Sequence, residues 1–148
     1  MARRKKYTTR VIVDDPPFAR AAQAAHAAAD LIKTKGWVRD CFAANRYGRK
    51  ASPLGVDAES FSLEGALISA ASKRYKFTKE DYQADISAPL KEWMVGKAII
   101  SPKERPQAWN DSECIDAQDC IDLLRAFARS QAEKYARHHG YFLANKAK

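Results

Sequence analysis

The run FARAAQAAHAAADLIKTKG, residues 18–36, constrains this fold more than any other stretch. Eight of its residues are alanine, the side chain with the highest helix propensity and the least bulk. It predicts a helix that its neighbours can approach closely, with Phe18, Ala22, Ala25, Ala29 and Ile32 on one face. Asp14 or Asp15 can cap its start, and Pro16 and Pro17 suit a first turn whose N–H groups would be unpaired anyway. Gly36 marks its end, and Lys33 and Lys35 oppose the helix dipole there. Such a chain is built by packing helices.

Three further helical segments follow the same logic. DAESFSLEGALISAASKRYKF, residues 57–77, restarts helix with Asp57 or Ser60 as cap and Phe61, Leu63, Ala66, Leu67 and Ala70 as its apolar side. In residues 78–100, Thr78 followed by Asp81 is close to a capping box, and Pro89 should end or kink the helix near Ser87. Residues 101–107 read as a polar loop. The longest helix closes the domain, capped by Asp116 or Asp111 and stopped by Gly140, with Ile121, Leu124, Ala128, Ala132 and Tyr135 as its stripe. Residues 36–55 differ: turn formers at Asn45 to Gly48, Pro53 and Gly55 predict an irregular loop or a short β-hairpin. The expectation is a mainly α, compact four- to five-helix domain over residues 14–140. A flexible basic arm (1–13) precedes it and a short tail (141–148) follows.

Charge is unevenly placed. The 148 residues carry 26 Lys and Arg against 18 Asp and Glu, and Arg3, Arg4, Lys5, Lys6 and Arg10 supply five of the eight excess charges. With 46% hydrophobic residues a packed core is expected and global disorder is not. No apolar stretch is long enough for a membrane span, which makes the cytoplasm the expected location. The three cysteines, Cys41, Cys114 and Cys120, sit at no zinc-ligand spacing and read as reduced, mostly buried thiols.

The order of several short elements resembles a bacterial and phage family of small helical domains of uncharacterised function. The elements are Ala28-Ala29-Asp30-Leu31-Ile32, Gly36-Trp37, Gly48, Gly65-Ala66-Leu67 and Trp109-Asn110-Asp111, and the similarity covers about residues 20–135. The basic arm departs from that pattern, as does Phe61-Ser62-Leu63, where many members place a cysteine. The resemblance implies an architecture and lends no chemistry.

Candidate sites fall into two groups. Three basic clusters could meet phosphate: the arm, the turn Arg46/Arg49/Lys50, and Lys73/Arg74/Lys76/Lys79 with Tyr75 and Phe77 interleaved. The expected partner is nucleic acid, contacted through its backbone, or an acidic protein. A candidate pocket comprises Trp37, Gly65, Trp109, Asn110 and Asp111, and Gly65 inside a helix implies a close approach by the first helix's alanines or by Trp37. His26 beside Asp30 is an ordinary surface pair, His138 and His139 offset a helix dipole, and Glu113, Asp116, Asp119 and Asp122 suit a helix N-terminus. No phosphate loop, nucleophile elbow or metal signature is present, so neither an enzyme nor a cofactor is expected.

Overall fold

The computed structural model describes the backbone of residues 17–74 and 78–147, and the side chains of 19–74 and 78–137. Helix α1 (Pro17–Thr34) packs between the long α6 (Ala117–Ala147) and α2 (Leu63–Arg74). Its alanines are why one helix can be buried on two sides. Ala21, Ala24, Ala25, Ala28 and Ala29 are fully enclosed, as is Ile32, so partner helices close on both flanks without large side chains between them. Phe127, Leu124, Leu67, Leu63, Leu90 and Met94 fill the remaining core.

Between α1 and α2 the chain forms a small irregular layer. Strand β1 (Ala43–Ala44) pairs antiparallel with β2 (Ser60–Phe61), Ala43 opposite Phe61 and Ala44 opposite Ser60. The predicted turn is present: Gly48 N donates to Asn45 O at 3.0 Å, with Gly48 at φ +78°, a conformation glycine adopts freely. Within the loop the hairpin closes as a single antiparallel bridge, Ala44 to Lys50, with Asn45 N donating to Arg49 O at 2.8 Å and Ala51 N to Ala43 O at 2.9 Å. The longer pairing partner, β2, lies beyond it and takes the residues immediately before α2, so that helix starts later than its sequence suggests. Ser62 caps it, accepting from Gly65 N at 3.0 Å, in place of Asp57 or Ser60.

The Thr78–Asp81 capping box forms reciprocally, at 3.0 and 3.1 Å. Behind it α3 (Lys79–Tyr82) runs through a π-helical turn (Gln83–Ser87) into α4 (Ala88–Gly96) as one rod. Pro89 neither ends that rod nor breaks it. The wider turn before it relaxes the ladder where the proline ring would crowd the preceding carbonyls. Trp109, Asn110 and Asp111 lie on a separate short helix, α5 (Pro106–Ser112), whose first residues, Pro106 and Gln107, come from the end of the expected 101–107 loop. Asp116 caps α6, accepting from Asp119 N at 3.0 Å. That helix continues through Gly140 to Ala147, so neither the predicted stop nor the short tail is seen. One glycine costs about 1 kcal/mol in a helix, and no proline follows to end it.

The arm residues Arg3, Arg4, Lys5, Lys6 and Arg10 lie outside the described residues, as do Tyr75, Lys76, Phe77 and the side chains of His138 and His139.

Candidate functional site

Trp37, Gly65, Asn110 and Asp111 of the candidate pocket converge on a closed polar network, whereas the partly buried Trp109 packs against the hydrophobic core. Asn110 on α5 is fully buried. Its Oδ1 accepts from the Trp37 indole N–H at 2.7 Å and from Leu63 N at 3.0 Å. Its Nδ2 donates to Val38 O at 3.1 Å and to Asp111 Oδ1 at 2.9 Å. A carboxamide has two donors and two acceptor lone pairs, and here all four are used inside the fold. Asp111 Oδ1 also accepts from Asp40 N at 2.8 Å and from Gln107 Nε2 at 3.1 Å. Asp40 adopts φ +66° to present that N–H, a left-handed conformation that short polar residues tolerate. Gln107 donates in addition to Cys41 O at 3.3 Å and accepts from Ser62 Oγ at 3.0 Å. Arg39 covers the outer face of Trp37, 5.1 Å from its ring centroid, and its guanidinium donates to Cys114 O.

The Trp-Asn-Asp element is thus a fastener that ties α5 to the loop after α1 and to the start of α2. Ser62, Gln107 and the backbone carbonyls of Val38 and Cys41 complete it, and none of these was singled out from the sequence. Only the cap position of Ser62, three residues before Gly65, signalled any role. Gly65 is a point of close approach, as expected, but its partner is neither α1 nor Trp37. A Cβ there would stand 1.8 Å from Phe42 O, so the backbone of β1's approach lies directly on α2.

The other chemical candidates are used structurally. Asp30 pairs with Arg125 at 2.9 Å and not with His26, which is exposed beside a shallow hollow between α1 and α6. Asp119 Oδ2 accepts from Ile115 N at 3.0 Å, and Asp122 Oδ1 accepts from Gln118 at 2.8 Å. Among the described residues no three His, Cys, Asp or Glu side chains form a metal-holding group. Glu64, buried on α2, accepts from Tyr82 Oη and Ser87 Oγ, each at 3.1 Å. Burial and the neighbouring Glu64 push the Tyr82 hydroxyl well above its ordinary pKa.

The basic residues are placed quite differently. Arg46, Arg49 and Lys50 are all exposed on the turn beyond β1, which Asn45 Oδ1 organises by accepting from Tyr47 N and Arg49 N. Arg46 lies over the Tyr47 ring at 5.0 Å. Lys73 and Arg74 are exposed at the C-terminal end of α2, and Lys79 at the start of α3. The two clusters thus sit on different elements, one on the turn beyond β1 and the other at the C-terminal end of α2 and the start of α3. The ion pairs between described residues are Arg20–Asp85 and Arg125–Asp30, and none of these six cations takes part in either.

A hollow of about 530 Å³ adjoins the helix-end cluster. Lys35 and Lys73 stand at its rim, with Leu54 (63% exposed) and Val56 (fully exposed) beside them. Lys35 was read from the sequence only as a dipole-compensating residue.

Two cysteines complete the chemistry. Cys114, in the turn after α5, and Cys120, in the first turn of α6, are both fully buried free cysteines. The Cys114 S–H group lies against Asp116 O at 3.2 Å. The neighbouring Cys120 lowers the Cys114 pKa, and Cys114, with burial, raises that of Cys120. Half-buried Cys41 is pushed up chiefly by burial, opposed by Lys50.

Fold and site together define a small, mainly α domain with an alanine-packed core, an Asn-centred fastener and exposed cations that stand outside the ion pairs between described residues. The chain belongs to a family of unknown function, DUF6197, which matches it over residues 17–130. No curated protein and no solved structure matches it. No helix among the described residues is long and apolar enough to cross a membrane.

Proposed function

We propose that this protein is a non-enzymatic, cytoplasmic binding domain that contacts nucleic acid, or a nucleoprotein assembly, through phosphate-backbone charges. The observation that carries this reading is that Arg46, Arg49, Lys50, Lys73, Arg74 and Lys79 are exposed and stand outside the ion pairs between described residues. Exposed cations without acidic partners release counterions when they meet a polyanion, and that release drives backbone binding. The arm residues Arg3, Arg4, Lys5, Lys6 and Arg10, together with Lys76, would add to the same term. The buried carboxamide of Asn110 offers no donor to a substrate, which favours binding over catalysis.

Fluorescence anisotropy with a labelled duplex and a labelled single strand tests it, from about 50 to about 200 mM salt. Binding should weaken steeply with salt. Replacing Arg46, Arg49 and Lys50 by Glu should weaken it several-fold and flatten the salt slope, and so should the Lys73, Arg74 and Lys79 triple or removal of residues 1–13. No binding at low salt, or affinities unmoved by all three changes, would overturn the reading.

A second reading is favoured by the Leu54/Val56 hollow with its lysine rim. It makes this a phage- or mobile-element-encoded interaction module, adaptor or inhibitor, docking on an acidic host protein. Replacing Leu54 and Val56 by Ser separates the two readings. Nucleic-acid affinity is unchanged on the first, while affinity for an acidic protein is lost on the second.

A further inference from the structure

Five large apolar side chains are exposed among the described residues, and three of them, Leu54, Val56 and Ile115, are aliphatic. The two rings, Phe42 (45% exposed) and Tyr47 (71%), both lie on the hairpin that carries Arg46, Arg49 and Lys50. Tyr47 sits inside that cation cluster, directly after Arg46. Its ring is not what shapes the turn. Asn45 does that: its Oδ1 accepts from Tyr47 N at 2.9 Å and Arg49 N at 3.0 Å, and its N–H donates to Arg49 O at 2.8 Å. Against the ring lies Arg46, its guanidinium 5.0 Å from the centroid and donating to Tyr47 Oη at 2.9 Å. A guanidinium shields one face only, and at 71% exposure the other is open to water.

We propose that the Tyr47 ring is a base-stacking site, so that the ligand of this turn is single-stranded nucleic acid. The inference rests on the phosphate-binding reading above and narrows it. Every base has a π-face, and in a single strand that face is free to lie on an aromatic side chain. Inside a duplex the neighbouring pairs cover both faces of each base, so a ring on a surface turn finds backbone and groove edges but nothing to stack on. Arg46, Arg49 and Lys50 stand within three residues of Tyr47 and are placed to meet the phosphates that flank a stacked base. Arg46 adds a cation to the ring it already covers. Because hydrogen bonds within the turn already close it, binding has little further backbone to order. Charge alone predicts the opposite preference. A duplex carries the denser phosphate charge, and a purely electrostatic surface binds it at least as tightly as a single strand.

The test is fluorescence anisotropy of the full chain with labelled probes of equal length: oligothymidylate, oligouridylate, an abasic deoxyribose-phosphate strand, and the thymidylate–adenylate duplex. At one salt concentration oligothymidylate should bind more tightly than the abasic strand and the duplex. Tyr47→Ala should lower its affinity about tenfold, to the level of the abasic strand. Abasic and duplex affinities, and every salt slope, should stay as they were, because no charge is altered. Tyr47→Phe keeps the ring and should bind like the parent. Oligouridylate, carried through the same series, separates a ribose strand from a deoxyribose one, and a Tyr47→Ala loss on either supports the site. The proposal fails if the abasic strand or the duplex binds as tightly as both base-bearing strands. It fails equally if Tyr47→Ala weakens every probe alike or weakens none. In those cases a steep salt dependence leaves the phosphate-backbone reading standing, whereas no binding to any probe at low salt removes both.

Discussion

At Gly65 one missing carbon sets the relation between a strand and a helix. A Cβ would lie 1.8 Å from Phe42 O and 2.6 Å from Phe42 C, and that carbonyl is already accepting from Ser62 N at 3.0 Å. Backbone held on two sides cannot move aside as a flexible side chain can. Gly65→Ala would ordinarily gain about 1 kcal/mol of helix propensity. Here it should cost about 3 kcal/mol net, because the hairpin must lift off α2. Gly96 is the matched control: it sits at the end of α4 with nothing within 4 Å of its added carbon, so Gly96→Ala should stabilise by roughly 0.5–1 kcal/mol. Urea denaturation of both variants checks the pair, and a Gly65→Ala protein as stable as the parent would remove Phe42 as the reason for the glycine. An isolated glycine in a helical run announces a close approach. It does not say what approaches, and here the partner is main chain some twenty residues away, which no side-chain pattern records.

Among the elements, those whose signals are local were readable and those set by distant partners were not. The Thr78–Asp81 box and the Asp116 cap each bond within three residues, so spacing alone pointed to the box and offered Asp116, beside Asp111, as the cap. The start of α2 was misplaced because Ser60 and Phe61 pair with Ala44 and Ala43, and that pairing outweighs the helical periodicity of the stretch. The joint between α2 and the α3–α4 rod was likewise invisible, since Glu64, Tyr82 and Ser87 come from separate segments. It has a pH signature. In the unfolded chain Tyr82 ionises near 10.0, while in the fold burial, and then Glu64, hold it well above that value. Its contribution is therefore fully present below about pH 10 and is lost as pH rises toward the folded-state value. Tyr82→Phe should lower stability at neutral pH by about 1.5–3 kcal/mol, one hydrogen bond to a carboxylate, and should also flatten the alkaline fall. Melting temperatures of both proteins, followed by circular dichroism from neutral to strongly alkaline pH, give the comparison. Parallel curves would mean that Tyr82 does not set the alkaline limit.

The whole molecule is two layers, an α1-centred helical core and the irregular segment from Gly36 to Phe61, and Asn110 is where they meet. Trp37 and the Trp-Asn-Asp element were both legible as a site, but the network was not. Half of its partners are main-chain groups (Leu63 N, Val38 O, Asp40 N, Cys41 O) that every sequence possesses and that only the fold brings within reach. Replacing Asn110 by Ala strands the Trp37 indole N–H, the Leu63 amide and the Val38 carbonyl at once, and each buried polar group left unpaired costs about 1–3 kcal/mol. The loss should total at least about 3 kcal/mol and should be unequal across the molecule. The core keeps its alanine packing, whereas the irregular layer keeps its own bonds, among them Val38 N to Phe61 O, Phe61 N to Gly36 O and Ser62 N to Phe42 O, and the more exposed ties of Asp40 to Asp111, Cys41 to Gln107 and Arg39 to Cys114. Amide hydrogen exchange should then accelerate strongly at Val38, Phe61 and Ser62 and much less in the middle of α1 and α6. A uniform acceleration would instead mean that the layers unfold as one body and that Asn110 is an ordinary core residue. Because Arg46, Arg49 and Lys50 ride on the irregular layer and Lys73 and Arg74 on the core, the same variant tests whether the two cation clusters work as one surface. If they do, loosening the layer weakens nucleic-acid binding although no charge has changed.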